Sequence, residues 1–476
     1  MGNIYLGVDI GTTSTKCLAV GDGGEVLALA QYPYSLTHPR QGWAEQDPED
    51  YWRGLADTVK RCVAECKGKG DVVSLAMSTQ GDTLIVTDTS GIPLIPAMSW
   101  MDGRADKECR ELLARTGETF WYEETGQPLT PLNSACKIHW ILHKMAGIRQ
   151  ENARFCYVPD FLAKRLCGEF VSDMPSASWT PFFSPAKRGR SDEVLGLLEV
   201  SPNDLPTVVE SGTVIGELLS NVAAELNLSP KTKLVAGAFD QAAAAYGAGA
   251  SVGGRSVLSC GTAWVLYSVS ASPKAERLCV CCHTSPTEWG LVLPFTGSSA
   301  YDWLNRTLGA KDGAKSESEQ LIFIPHLYGG ASPDWRGKSK GSLLGLTMSH
   351  TQEDIRLAMM RGIAFEARRN LEAAESAASD RIESVRMVGG AGKSDIWPQM
   401  IADILNRPVE VSELVESACY GAAKLAAQEA SASWPDSEPS RRLIPSADSE
   451  SEERLYRKYL RFYEALLPIY ESTTDH

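Results

Sequence analysis

The chain has 476 residues, a formal net charge of −14, 43% hydrophobic and 22% charged residues. That length gives two or three domains with cores large enough to be stable, and the composition is that of a globular protein. The acidic balance excludes non-specific nucleic-acid or anionic-membrane binding, and no apolar run reaches the roughly 20 residues of a membrane span.

In chain order, Ile4–Ile10 reads as a short buried strand and Gly11-Thr12-Thr13 as a turn. Lys16–Val20 is a second strand, Gly21–Gly24 a tight hairpin and Val26–Ala30 a third strand. Pro48–Lys67 is an amphipathic helix with Asp47 as N-cap and Pro48 at its first position, and Val72–Met77 the next strand. Ser256–Val269 (SVLSCGTAWVLYSV) again reads strand, Gly-Thr turn, strand, matching Leu6–Val20 and suggesting an internal duplication. Asp9 stands two residues before the first turn glycine, and Ser259 stands at that place in the second copy. Between the copies come an apolar strand (LVAGAF), an alanine-rich helix and the connection Val252–Arg255, where the boundary between halves is placed. Gln352–Ala377 is helical, Ile382–Val388 a strand, and a helix runs from about Asp395 to Leu405. Ser449–Glu453 (SESEE) reads as a solvated charge run ahead of a terminal helix, Arg454–Tyr470.

Among the 12 cysteines the one CxxC spacing lies within the Cys279–Cys282 cluster (CVCC), which lacks partner ligands at metal spacing, so it reads as small buried residues of a strand. Free thiols fit a reducing cytosol, and the N-terminus MGNIYLGVDIG lacks a basic leader, so a cytoplasmic location is expected.

Three segments carry candidate chemistry. Asp9-Ile10-Gly11-Thr12-Thr13-Ser14-Thr15-Lys16 ends a buried strand in an acid and continues into a hydroxyl-rich glycine turn, which suits phosphate oxygens and a divalent cation. A hairpin in which Asp9 caps its own turn is the simpler alternative. Asp240, in Gly237–Gln241, leaves an apolar strand and opens a helix, a position that suits a general base and equally a helix cap. Gly389–Asp395 (GGAGKSD) is neither a Walker A loop nor a dinucleotide fingerprint; its small residues could receive a flat adenine, and a plain strand-to-helix turn explains it as well.

The ordered set is more informative than any member. DIGTTSTK, QGWAEQDPEDYW (Gln41–Trp52), STQGDTLIVTD (Ser78–Asp88), WMDGR (Trp100–Arg104), GEFVSDMPSAS (Gly168–Ser178), GAFDQAAAAYG (Gly237–Gly247), LSCGTAW (Leu258–Trp264) and GGAGKSDIWPQMIADIL (Gly389–Leu405) resemble the FGGY family of carbohydrate kinases. The resemblance runs from Tyr5 to about Gln428 and leans towards xylulokinases. It implies an α/β fold of two actin-like (ribonuclease H-like) domains of the actin–hexokinase–Hsp70 superfamily around a cleft, divided as 1–250 and 251–476. It implies ATP and Mg²⁺, a small sugar or polyol as partner, D-xylulose first, and leaves room for a homodimer.

The resemblance also implies residue roles. Asp240 falls on the catalytic base and Asp9 on the metal-associated acid. Gly11, Thr12, Thr13 and Lys16 fall at the phosphates from one half; Gly261 and Thr262 do so from the other. Gly297, Gly390, Ala391 and Ser394 fall at the nucleotide pocket. Gln80, Gly81, Asp82, Trp100, Asp240 and Gln241 fall at the acceptor. The loop departs from the xylulokinase Gln-Met-His at Gly81 and Asp82; Asp82 and Gln241 are instead like glycerol kinases, which carry Arg where Gly81 stands. Glycerol, erythritol, gluconate or another ketose are therefore alternative acceptors. A non-catalytic nucleotide switch or a sugar-binding regulator is the alternative of a different class, and a base at Asp240 is what separates them.

Overall fold

The computed structural model describes residues 2–472 except 146, 149–150, 273, 275–276, 310–320, 415, 431–433, 435–438 and 447–448. Two mixed sheets organise it. The first holds β1 (Gly2–Ile10), β2 (Ser14–Gly21), β3 (Val26–Pro33), β4 (Gly70–Thr79), β5 (Val214–Glu217) and β6 (Lys233–Phe239) in the order β5-β6-β4-β1-β2-β3. The second holds β7 (Arg255–Cys260), β8 (Trp264–Ser270), β9 (Cys279–Cys282), β10 (Trp289–Phe295), β11 (Ser384–Gly389), β12 (Val409–Val411) and β13 (Arg441–Leu443) in the order β9-β10-β8-β7-β11-β12-β13.

The duplication read from two Gly-Thr turns extends through both sheets. In the first, β1 pairs antiparallel with β2 and parallel with β4; β2 pairs antiparallel with β3, and β4 parallel with β6. In the second, β7 pairs antiparallel with β8 and parallel with β11; β8 pairs antiparallel with β10, and β11 parallel with β12. The central strands are buried on both faces, which is why they read as apolar runs rather than alternating ones.

Helix α1 (Pro48–Glu65) begins as its sequence predicts, with the Asp47 carboxylate accepting from the Glu49 N–H and Pro48 at the first position. The alanine-rich segment is helix α2 (Asp240–Gly247), and α3 (Gln352–Ala378) is the long helix of the second half. Helix α4 (Ser417–Gln428) follows β12 of the second sheet but packs on the first, against β1, β4 and β6. Helix α2 leaves the first sheet and reaches β7 and β8 of the second. The two helices cross where small residues permit it. A Cβ on Gly421 would stand 1.9 Å from the Ala243 carbonyl oxygen, one on Gly247 2.4 Å from the Ser417 oxygen, and one on Gly7 of β1 1.9 Å from the Cys419 oxygen. Ala242, Ala243, Ala245, Cys419 and Ala423 form one buried cluster there with Tyr5, Phe239 and Val257.

Two terminal details differ from the sequence reading. The SESEE run lies inside the last helix, α5 (Ser449–Ser472), rather than ahead of it. Glu452 is buried and pairs with Arg361 of α3 at 3.1 Å, so part of the run is an internal anchor and not a solvated face. The segment after β11 first makes a 3₁₀ turn, Gly390–Lys393, and its α-helix starts at Trp397. The CVCC cluster is strand β9, buried throughout, as expected.

The α2–α4 crossing makes a direct prediction. Gly421→Val forces a side chain into the Ala243 carbonyl, and overpacking of this kind costs roughly 1–3 kcal/mol or more. A thermal unfolding scan should show a clear drop in the midpoint. Gly196→Ala, where an added Cβ meets nothing, should leave it unchanged or slightly higher.

Candidate active site

Asp9 is the ninth residue of the chain and lies near the end of β1, followed by the turn Gly11–Thr13. Ser78 on the neighbouring β4 donates its hydroxyl to Asp9 Oδ1 at 2.7 Å. The second carboxylate oxygen has no hydrogen-bond partner among the described residues. Burial raises the Asp9 carboxyl above its ordinary range, against the Ser78 hydroxyl and the Lys16 charge, which lower it. Asp240 is the first residue of α2, where β6 ends. Its Oδ1 accepts from the Gln241 N–H at 2.7 Å, so it satisfies one of the free donors of its own helix start. Burial first, then the negative charge of Asp9, push its pKa up to about 7. The two acids therefore sense one another at the ends of strands of one sheet, the place where open α/β sheets bind ligands.

The turns at the two hairpins are alike in a second way. Among the described residues the N–H groups of Thr12 and Thr13 donate to no protein acceptor, and neither do those of Thr262 and Ala263. Gly261 and Thr262 are exposed at the end of β7. Gly297 packs on this turn: a Cβ there would lie 2.5 Å from the Trp264 nitrogen, so only glycine fits. Gly390 is exposed, and a Cβ there would meet nothing within 4 Å. Ala391 is partly buried in the same 3₁₀ turn, and Ser394 Oγ accepts from the N–H groups of Ile396 and Trp397, capping the next helix. Lys16 is paired: its ammonium meets Glu416, at the start of α4, at 2.7 Å. Burial presses the Lys16 pKa down, and Glu416 more than reverses that.

The loop Gln80–Asp82 follows β4. The Gln80 amide is committed inside the protein, accepting from Thr12 Oγ1 at 3.0 Å and donating to the Tyr51 hydroxyl at 3.2 Å. Trp100 is 42% exposed, so it is no core residue, and its indole N–H donates to Thr12 Oγ1 at 2.9 Å. Thr12 thus ties the glycine turn to both Gln80 and Trp100. Asp82 adopts a left-handed backbone, φ 51°, which a non-glycine residue takes only when its surroundings impose it. Its Oδ2 accepts from the Ser134 N–H at 3.0 Å, while its Oδ1 is buried without a partner among the described residues. Burial lifts the Asp82 pKa to about 6, opposed by the Lys137 ammonium; burial lowers Lys137 to about 8, opposed by Asp82 and Asp102.

Sequence reasoning missed Lys137, fully buried, with its ammonium donating to the Ser99 carbonyl at 2.7 Å. It also missed Trp179, whose indole stacks on Phe239, next to Asp240, at 5.1 Å between ring centres. Neither lies near its partners in the sequence. Two segments singled out as motifs turn out to brace one another. Arg104 pairs with Asp102 at 2.7 Å and Glu45 at 2.6 Å, and lies 3.5 Å over the Trp43 ring.

Two half-folds with duplicated turns, backbone donors without protein acceptors and a pair of buried acids at strand ends fit a two-domain phosphotransferase of the actin-like class. The chain belongs to the FGGY family of carbohydrate kinases: the N-terminal domain model of that family matches residues 4–247 and the C-terminal domain model residues 230–430. It is 29% identical over 420 residues to a xylulose kinase of Escherichia coli, covering 86% of each chain. It is also 29% identical over 488 residues to glycerol kinase 2 of Thermotoga maritima, covering 95% of this chain and 97% of that one. The solved structure of a xyloylose kinase from Brucella ovis superposes with a TM-score of 0.90 at 27% identity, covering 98% of this chain and all of the other. The protein is accordingly a sugar or polyol kinase, and kinases of this family use ATP. Among the described residues no helix is long and apolar enough to cross a membrane.

Asp82 and Lys137 are both buried, and the charge of each favours that of the other. Lys137→Met removes the cation that opposes burial of the Asp82 carboxylate together with the bond to the Ser99 carbonyl, and chemical denaturation should show a loss of stability. Adding Asp82→Asn should recover most of it; equal losses in the single and double variants would dissociate the pair.

Proposed function

We propose that this chain phosphorylates a hydroxyl of D-xylulose, giving D-xylulose 5-phosphate, with Mg²⁺-ATP as donor and Asp240 as general base. The observation that carries the base assignment is the Asp240 carboxyl itself. It sits at a strand end, accepts from the N–H of Gln241, and is raised to about 7 by burial and by Asp9. A carboxylate with that affinity can take the acceptor proton near neutral pH. The preference for D-xylulose is supported by the likeness to the xylulose kinase relatives. Glycerol, erythritol, gluconate and other ketoses remain the competing acceptors.

In this reading the acceptor hydroxyl approaches from the Gln80–Asp82 side and Asp240 receives its proton as the bond to phosphorus forms. Asp82 offers its free Oδ1 to a second hydroxyl, and Gln241 and Trp100 flank the same space. The backbone donors of Gly11–Thr13 and Gly261–Thr262 hold phosphate oxygens, with Gly297, Gly390, Ala391 and Ser394 about the nucleoside. Lys16 would reach the phosphates only by leaving Glu416. Magnesium neutralises developing phosphate charge when bound. Asp9 would hold it, and the fit is good: Mg²⁺ takes one or two carboxylates plus phosphate oxygens, and Asp9 has one oxygen unpartnered. Residues 1–250 then serve the acceptor and the acids, residues 251–476 the nucleotide, in a cytoplasmic enzyme.

Asp240→Ala should keep ATP binding, measured by calorimetry, while turnover falls by about a thousandfold or more. In the native enzyme kcat/KM should rise with pH through about 7, as the base loses its proton. Purified protein with Mg²⁺-ATP should consume ATP fastest with D-xylulose when compared with D-ribulose, L-ribulose, glycerol, erythritol and gluconate. Normal turnover in Asp240→Ala would remove the base assignment, and a better acceptor in the series would replace xylulose.

A further inference from the structure

The loop Gln80–Asp82 has no side chain at Gly81, and the structure shows what occupies the space that one would take. A Cβ built on Gly81 would lie 2.3 Å from Cδ1 and 2.8 Å from Nε1 of Trp179. The pyrrole edge of this indole therefore rests on the bare face of Gly81. Its ring plane is within 4° of parallel to Phe239, the residue immediately before Asp240. Trp179 thus spans from the acceptor loop to the base.

Its position is fixed from several sides. The short helix Met174–Ser178 starts at Asp173, whose carboxylate accepts from the Ser176 N–H at 2.7 Å, and it ends on Trp179. The Trp179 carbonyl accepts from Gln127 Nε2 at 3.3 Å, and Ser178 Oγ accepts from the Cys282 N–H of β9 at 2.8 Å. The indole is only half-buried, and its N–H has no hydrogen-bond partner among the described residues. One aromatic edge and one neutral donor therefore lie between Gly81 and Phe239, the residue before Asp240. The ionisable groups around that space are mainly acids: Asp82, Asp240 and Asp9. The two ammonium groups among them are committed, Lys137 to the Ser99 carbonyl and Lys16 to Glu416.

We propose that Trp179 is a specificity-determining wall of the acceptor pocket that fills the space a side chain at position 81 would take. By this wall the pocket favours a neutral ketose or polyol over an aldonate. The inference rests on the reading of Gln80–Asp82 and Asp240 as the acceptor site. The indole N–H donates to a hydroxyl or keto oxygen, the ring edge packs on carbon, and the acids Asp82, Asp240 and Asp9 disfavour a carboxylate. Position 81 and position 179 then share one volume and must vary together.

The test is a set of four folded variants, checked by thermal scan, with steady-state constants for acceptor and for ATP. Trp179→Ala should raise the acceptor KM by about tenfold, the loss of one aromatic contact and one hydrogen bond, and leave the ATP KM within about twofold. Trp179→Phe should fall between, keeping the stack without the donor. Gly81→Leu alone should cost about a hundredfold in kcat/KM for the acceptor, because its side chain and the indole compete for one place. The pair Gly81→Leu with Trp179→Gly should recover at least tenfold of that. Equal losses for Gly81→Leu in both backgrounds, or an unchanged acceptor KM in Trp179→Ala, would overturn the shared-volume inference. Gluconate as the best acceptor of the native enzyme would overturn the preference for neutral acceptors. A native enzyme that phosphorylates none of the neutral acceptors or gluconate would instead overturn the acceptor reading beneath it.

Discussion

The close crossing of α2 and α4 is the constraint on which the rest of the molecule depends. Each helix leaves the last parallel strand of its own half and packs on the sheet of the other. Backbone meets backbone there, because glycines at 7, 247 and 421 remove the atoms that would hold the elements apart. Alanine elsewhere in the contact supplies apolar area at no side-chain entropy. The result is a tightly packed region of small residues between the two sheets. Asp240 opens α2, and Glu416, at the entrance to α4, holds Lys16. The groups proposed for chemistry are therefore mounted on the same pair of elements that joins the halves. A relative movement of the halves would be felt first at these residues, which suits a kinase that must exclude water from a reactive phosphoryl group.

The electrostatics of the cleft follow from its burial. Three carboxyl groups stand above their ordinary range, Asp9, Asp82 and Asp240, and in each the largest cause is loss of water. Their differences come from neighbours. Asp82 has Lys137 beside it and stays near 6, while Asp240 has another acid and is raised to about 7. Burial also raises the helix-start carboxyls of Asp160 and Asp173, to about 7 and about 6, so what sets Asp240 apart is the second acid beside it at a strand end, the next cause after burial.

Much of the fold was legible in the sequence. The apolar runs at Ile4–Ile10 and LVAGAF are buried strands, and Asp47-Pro48 marks a helix start whose mechanism is local. The repeated Gly-Thr turns gave a hint of two equivalent sheets, because a hairpin is encoded in consecutive residues. What escaped is what depends on distant partners. The exchange of α2 and α4 between halves leaves no periodic mark. Lys137 and Trp179 look like ordinary helix and loop residues until Asp82 and Gly81 are brought beside them. The SESEE segment misled for a related reason: a charge run predicts a solvated face, but Arg361 on α3 draws Glu452 inside. Gly81, read as a departure from relatives, acquired a meaning only when the indole was seen resting on it.

The central claim is that the two duplicated turns and the two cleft acids converge on a single transferring phosphoryl group. A crystal structure with a non-hydrolysable ATP analogue, Mg²⁺ and the best acceptor tests it most directly. The account predicts the terminal phosphate between the Gly11–Thr13 and Gly261–Thr262 turns, the metal against Asp9, and the acceptor hydroxyl within hydrogen-bond reach of Asp240. Phosphates bound away from either turn, or an acceptor whose hydroxyls are all beyond the reach of Asp240, would contradict it.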